Sequence, residues 1–160
     1  MKPFAYLSKH QDTITNYMYL GLLPFFAGAL SPWVFIDYEA IAVNLFFIYS
    51  AIIFSFLSGV IWATVLLKNT EQINEEKTNG EHNKRHLHAA IIFSLFPLAA
   101  ALLPDTFKIG LMLLGFLLLL FWEKLFLNSL YAQWYQQLRH KITFIVVACH
   151  MLTLLNIIQN

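Results

Sequence analysis

The feature that most limits what this chain can fold into is the length of its apolar runs. Five blocks of 16 to 28 residues contain at most one Lys, Arg, Asp or Glu each, and a bilayer core of about 30 Å takes roughly 20 helical residues to cross. A soluble domain is ordinarily about a quarter charged, whereas this chain is 12% charged and 59% apolar, with a mean hydropathy of +0.62. That balance excludes a disordered chain, a coiled coil, a collagen and a disulfide scaffold. The expected fold is all-α: a polytopic membrane helix bundle with five transmembrane helices and one cytoplasmic interfacial amphipathic helix, in a single membrane domain over residues 1–160.

The five predicted spans cover 17–36, 40–67, 87–103, 107–122 and 142–158, with a polar loop at 68–86. Pro24 lies inside the first and removes a backbone donor, so a kink is expected there, with neighbours satisfying the freed carbonyl. The second is 28 residues long, about 42 Å as a helix, and must tilt or protrude. Pro104-Asp105 reads as a turn between the third and fourth spans. No internal repeat is visible, so the inverted-repeat architecture of many transporters has no support. The N-terminal segment has no small-residue cleavage site after a short apolar stretch, and the first block is expected to be a retained span. An Arg-rich, acid-poor transit sequence is also missing, which points toward a bacterial protein.

Net charge is +1, so no global field recruits nucleic acid or acidic substrates. Placement of the cations is informative instead. Lys2, Lys9, Lys68, Lys77, Lys84, Arg85, Lys124, Arg139 and Lys141 fall on one side of a five-span chain and Lys108 alone on the other. The positive-inside rule then puts the N-terminus and polar loop in the cytoplasm and the C-terminus in the periplasm.

Two periodic patterns suggest contact surfaces. Ala51, Ser55, Gly59 and Ala63 recur every fourth residue, a small-residue stripe that lets another helix backbone approach closely, with Ser58 widening it. It reads as a packing face, either inside one monomer or toward a pore or partner. After Glu123, Phe126, Leu130, Trp134 and Leu138 follow at intervals of four, with Leu127, Tyr131 and Tyr135 alongside. An apolar stripe bearing Trp and Tyr suits the headgroup boundary, and Trp122, Tyr131, Trp134 and Tyr135 are the expected anchors.

Ionisable groups within spans are the usual pointers to function. His150 is the ninth of seventeen residues in the fifth span. It is either a neutral, hydrogen-bonded core residue or a proton-linked group facing a polar path. Glu123 and Lys124 form a candidate membrane-boundary pair at the end of the fourth span, where Lys can snorkel to water. Cys149 reads as a small core residue. His82, His86 and His88 offer imidazoles in the polar loop but no accompanying Cys, and read as a solvated His-rich stretch. There is no phosphate-binding loop, nucleophile elbow, HExxH or dinucleotide fingerprint. No catalytic, metal or cofactor residues are therefore named, and the chain is expected not to be an enzyme.

Four stretches carry a family resemblance: YLGLLPFF at 19–26, FSFLSGVIWA at 54–63, FPLAAALLP at 96–104 and YAQWYQQLRHKIT at 131–143. Together they resemble a family of small bacterial inner-membrane proteins of unknown function, itself similar to a mitochondrial transmembrane protein of animals. The Ser-Phe-Leu-x-Gly-x-x-Trp and Trp-Tyr-x-x-Leu-Arg elements are its most specific parts. The family pattern has a second Gly and a His before that first Trp; Ser58, Val60 and Ile61 stand there in this chain, so no role of that His transfers. The resemblance implies an inner-membrane protein and supplies no catalytic residues. Two expectations follow: a non-enzymatic protein that packs against a membrane partner or a second copy, or supports envelope integrity; and, alternatively, a small transporter or channel component with a polar path near His150.

Overall fold

A computed structural model of the chain describes residues 10–71, 80–127 and 131–159, with side-chain surroundings for all of these except 36, 65–71 and 80–85. The described residues form six α-helices and one short 3₁₀ turn, with no strand among them. In chain order the helices are α1 (Gln11–Leu20), α2 (Leu23–Val34), α3 (Glu39–Glu71), α4 (Gly80–Ala101), α5 (Asp105–Phe126) and α6 (Gln133–Gln159); the 3₁₀ turn Ile36–Tyr38 joins α2 to α3. Four helical stretches are long and apolar enough to cross a membrane: Gln11–Val34 (α1 with α2), Glu39–Thr64, Asp105–Phe126 and Gln133–Gln159. The apolar part of α4, His86–Ala101, is shorter, about 24 Å of helix. Four to five helices can therefore span.

The outer surface is what such a reading requires. Leu45, Ile48, Ile52 and Phe56 on α3, Leu118 and Phe121 on α5, and Phe144, Met151 and Leu155 on α6 are all exposed. Water would be expelled from a continuous apolar collar of this kind, and hydrocarbon is its natural solvent. In α6 the usual polarity is inverted, because Arg139, Thr143, His150, Thr153 and Asn156 point inward while Phe, Met and Leu point out.

The helices close into a ring. α2 packs on α3, α3 on α4, α4 on α5, α5 on α6 and α6 back on α2, with α3 and α5 meeting across the middle and α1 lying against α6. The core is aromatic at its centre: Phe25, Phe46, Phe54 and Phe116 are almost wholly buried, and their rings meet edge to face, as between Phe54 and Phe116 at 5.2 Å and Phe25 and Phe46 at 5.9 Å. That geometry sets the positive ring edge against the negative face.

Pro24 starts a helix where a kink was expected. α1 ends at Leu20, Pro24 sits in the first turn of α2, where its missing N–H is an orphan anyway, and the Tyr49 hydroxyl donates 2.8 Å to the Gly21 carbonyl at the break. A neighbouring helix thus bonds a carbonyl at the break, one residue along from that of Leu20, which the missing Pro24 N–H would free. Pro104 caps α5, with its carbonyl accepting from the Lys108 N–H at 2.8 Å and Asp105 in the first turn.

The interfacial helix expected after Glu123 is not a separate element. α5 continues to Phe126 and α6 begins at Gln133, so Phe126 and Trp134 belong to different helices; Leu130 lies outside the described residues. The reason is register: Leu138, Ile142 and Val146 form one buried row, so the helix of the last span propagates backward as far as Gln133. Residues 72–79 of the predicted polar loop lie outside the described residues, and 80–86 already belong to α4.

The small-residue stripe of α3 is not the internal packing face. Ala51 and Ser55 are half-buried, Gly59 and Ala63 are exposed, and a Cβ placed on Gly59 would meet nothing within 4 Å. The face of α3 that enters the core is the bulky one, through Val43, Phe46, Ser50, Phe54, Ser58 and Ile61. Room for it comes from glycines on the partner helices. A Cβ on Gly28 of α2 would come 2.9 Å from the Phe46 ring, and one on Gly115 of α5 would come 2.7 Å from Phe96 and 3.2 Å from Phe54.

Candidate functional site

Several buried polar side chains interrupt the apolar core among the described residues, and three groups of them, Glu123 with Arg139, His150, and Lys108, are packed against residues of other helices. At the end where α5 finishes and α6 starts, Glu123 and Arg139 form a bidentate ion pair: Arg139 Nε donates to Glu123 Oε2 at 3.1 Å and Nη2 to Oε1 at 3.2 Å, both side chains being 6% exposed. Arg139 Nη1 also donates to Thr143 Oγ1 at 3.3 Å, one turn further along α6. The planar guanidinium fork fits a carboxylate in this way, and the match carries geometric specificity. Glu123 reaches the site because it continues the buried row Met112, Phe116 and Leu119 of α5. Tyr131 and Tyr135 stand beside the pair, their rings 5.3 Å apart. Burial, and then the Glu123 carboxylate, raise the Tyr131 phenol well above its ordinary value, while a hydrogen bond with the Thr64 side chain opposes the shift.

Glu123 and Lys124 therefore do not form the expected boundary pair. Consecutive helical residues diverge by about 100°; Glu123 turns in to Arg139, and Lys124 is exposed. Of the expected anchors, Trp122, Tyr131, Trp134 and Tyr135 are all half-buried. Trp122 stacks at 4.4 Å on Phe126, and Trp134 lies 5.9 Å from Tyr135.

The second group is His150, wholly buried at the middle of α6. Its ring sits among Phe46, Phe116 and Phe25, with centroids 4.7, 5.3 and 6.0 Å away. Nδ1 is 2.8 Å from the Val146 carbonyl, which can only accept, so Nδ1 carries the proton and the neutral ring presents its lone pair at Nε2. Nε2 has no hydrogen-bond partner among the described residues. No carboxylate, hydroxyl or thiol is bonded to the ring, so the geometry offers an isolated acceptor in an aromatic chamber. Cys149, its neighbour in sequence, is a free, buried thiol.

The third group lies at the opposite end of α5. Lys108 contacts Asp105 at 2.6 Å and Asn44 of α3 at 3.4 Å, with its ammonium 5.2 Å from the centre of the Phe47 ring. A cation over an aromatic face and beside a carboxylate is held by both.

One cleft runs from Arg139 of the first group to the phenylalanines around the second. It has a volume of about 320 Å³ and lies between α1, α2, α3, α5 and α6, with Arg139 and Thr143 in its wall at one end and Phe25, Phe116 and Val146 at the other. The two phenylalanines are the same rings that enclose His150.

Among the described residues no group of three or more His, Cys, Asp or Glu side chains is placed to hold a metal ion. His86 is buried against Trp122 and Phe126, while His88 is exposed; the side chain of His82 lies outside the described set. Sequence reasoning missed the Glu123–Arg139 pair because Arg139 had been assigned to the cytoplasmic cations. The signal that could have found it is the polar row Arg139, Thr143, His150, Thr153, Asn156, which keeps helical period straight through the last span.

The profile of the family described as a protein of unknown function (DUF3429) matches residues 11–155. No curated protein and no solved structure matches the chain.

Proposed function

Because the chain belongs to the DUF3429 family, the match running from the first described helix into the last, we propose that it is a non-enzymatic integral membrane protein that works by contact with a membrane partner or a second copy of itself. The observation carrying this reading is that the buried charges are paired within the chain. Among the described residues, each buried charge is neutralised by a neighbour in the same chain, Glu123 by Arg139 and Lys108 by Asp105, and the imidazole of His150 has no acid or nucleophile bonded to it. What remains available is outside: Gly59 and Ala63 open toward the bilayer, where small residues let a second helix approach.

The proposed setting is a bacterial inner membrane, with the N-terminus cytoplasmic and the C-terminus periplasmic. Supporting this, eight of the nine cations assigned to the cytoplasmic side remain after Arg139, which is held inside the bundle, is set apart (9 − 1 = 8). An envelope-integrity role fits a protein of this kind, and the anchors Trp122, Tyr131, Trp134 and Tyr135 suit the boundary level.

Copurification from native membranes with wild type and Gly59→Leu tests the proposal. Loss of a copurifying chain or a smaller particle in Gly59→Leu, with the helical content unchanged, is expected. An unchanged particle with unchanged companions would overturn it. The unpartnered Nε2 of His150 supports the second reading, a small carrier or channel component. In that case, His150→Phe abolishes pH-dependent flux in proteoliposomes while the protein stays folded.

A further inference from the structure

The cleft between α1, α2, α3, α5 and α6 is too large to be left empty and too apolar to hold water. An apolar cavity of about 150 Å³ stays dry and takes up small hydrocarbons, and this one is about 320 Å³, within the range of small-molecule sites. In a bilayer the available filler is hydrocarbon. The wall is also polarised along its length. Arg139 and Thr143 stand near the start of α6, at the membrane boundary, and Val146 stands seven residues deeper, about 10 Å along the helix, level with Phe25 and Phe116. Polar at the boundary and apolar toward the midplane is the order of groups in a glycerolipid.

We propose that this cleft is a lipid site in which one acyl chain of a glycerolipid lies between Phe25, Ile53, Leu57 and Phe116, with an ester carbonyl at the Arg139–Thr143 end. A guanidinium has five N–H donors, and three are committed, two to Glu123 and one to Thr143. Two remain for an acceptor at the cleft. Glu123 already balances the charge of Arg139, so an anion bound there would leave a net buried negative charge, whereas a neutral carbonyl adds hydrogen bonds and no charge. This selects an ester oxygen over a phosphate or free carboxylate. The Trp-Tyr-x-x-Leu-Arg element thereby gains a role: it carries the arginine that reads the lipid at its ester level.

The test uses the full chain in phosphatidylcholine vesicles containing a trace of phosphatidylcholine with a photoactivatable diazirine, placed in separate preparations near the ester or near the chain end. After irradiation, labelled peptides are located by mass spectrometry. The expected result is labelling of cleft residues above that of the openly lipid-facing Leu45, Ile48 and Ile52, the ester-proximal probe near Arg139 and Thr143 and the chain-end probe near Phe25 and Val146. Leu57→Trp fills the cleft and reduces cleft labelling to the level of the exposed positions. Ile53→Trp is a second variant for the same measurement, should the first fail to give a monodisperse, helical protein. Labelling no greater in the cleft than outside, a reversed order of the two probes, or labelling indifferent to a folded Trp variant would overturn the assignment.

Discussion

Replacing Glu123 by Gln tests the central electrostatic feature most directly. The carboxylate uses both oxygens, at 3.1 and 3.2 Å from the guanidinium, and both side chains are 6% exposed, so solvent screening offers little relief. Gln keeps the shape but supplies one acceptor oxygen and turns an amide N–H₂ toward Arg139, leaving a buried cation with one bond fewer and no counter-charge. Breaking a buried pair from one side costs about 3–5 kcal/mol, or roughly two to three and a half powers of ten in the unfolding equilibrium. Unfolding in mixed micelles at increasing mole fractions of dodecyl sulfate, followed by far-ultraviolet circular dichroism, measures it. The companion variant Glu123→Leu/Arg139→Met removes both charges and is expected to lie near wild type or above it, since well-packed apolar replacements of buried pairs are often neutral or stabilising. A single-variant loss below about 1 kcal/mol, the range of surface pairs, would refute the reasoning, and so would a double variant as unstable as the single one.

The other predictions concern packing and protonation. Gly115→Ala brings a Cβ to 2.7 Å from Phe96 and 3.2 Å from Phe54, and overpacking of this kind is expected to destabilise by about 1–3 kcal/mol in the same assay; a neutral result would mean the α4–α5 crossing is looser than described. Gly59→Leu, where a Cβ meets nothing, is expected to leave the monomer's stability within about 0.5 kcal/mol, and a larger loss would place that face inside the fold. His150→Phe removes a single bond, Nδ1–H to the Val146 carbonyl, so a loss of no more than about 1.5 kcal/mol is expected; a loss well beyond that would show that Nε2 has a partner in the membrane. Tyr131 titrates above the ordinary value near 10 in the folded state. The native state then holds its proton after the unfolded chain has released it, so stability is full below about pH 10 and declines as pH rises toward the folded value. Comparison of alkaline unfolding curves for wild type and Tyr131→Phe checks this, the variant being expected to lose that part of the decline.

What could be read in advance follows from how each signal works. Helix positions were legible because apolar runs must be about as long as the bilayer is thick: the predicted spans 40–67 and 107–122 lie within Glu39–Glu71 and Asp105–Phe126. Burial within the bundle was harder to read, since in lipid both faces of a helix can be apolar and hydropathy does not separate them. Of the two alternatives for the small-residue stripe of α3, the internal one does not hold, since Gly59 and Ala63 face outward. α3 contributes the large side chains Phe46 and Phe54, and the glycines that receive them, Gly28 and Gly115, are isolated in sequence and form no stripe. Arg139 was counted with the topological cations because it lies before the last apolar run, and its partner sixteen residues earlier is joined to it only by the tertiary fold. His150 was identified by its depth alone, whereas its three aromatic neighbours come from α2, α3 and α5 and could not be anticipated from local pattern.

The pairing of Glu123 with Arg139 also bears on how the polypeptide enters its membrane. The acid arrives on α5 and the base on the helix that follows, and either one buried without the other would oppose partitioning. Insertion of the two helices as a closed hairpin escapes that penalty, because the bilayer then receives a neutral unit. A chain truncated between them would carry an acid with nothing to neutralise it, so burial of Glu123 is expected to wait for the helix that brings Arg139.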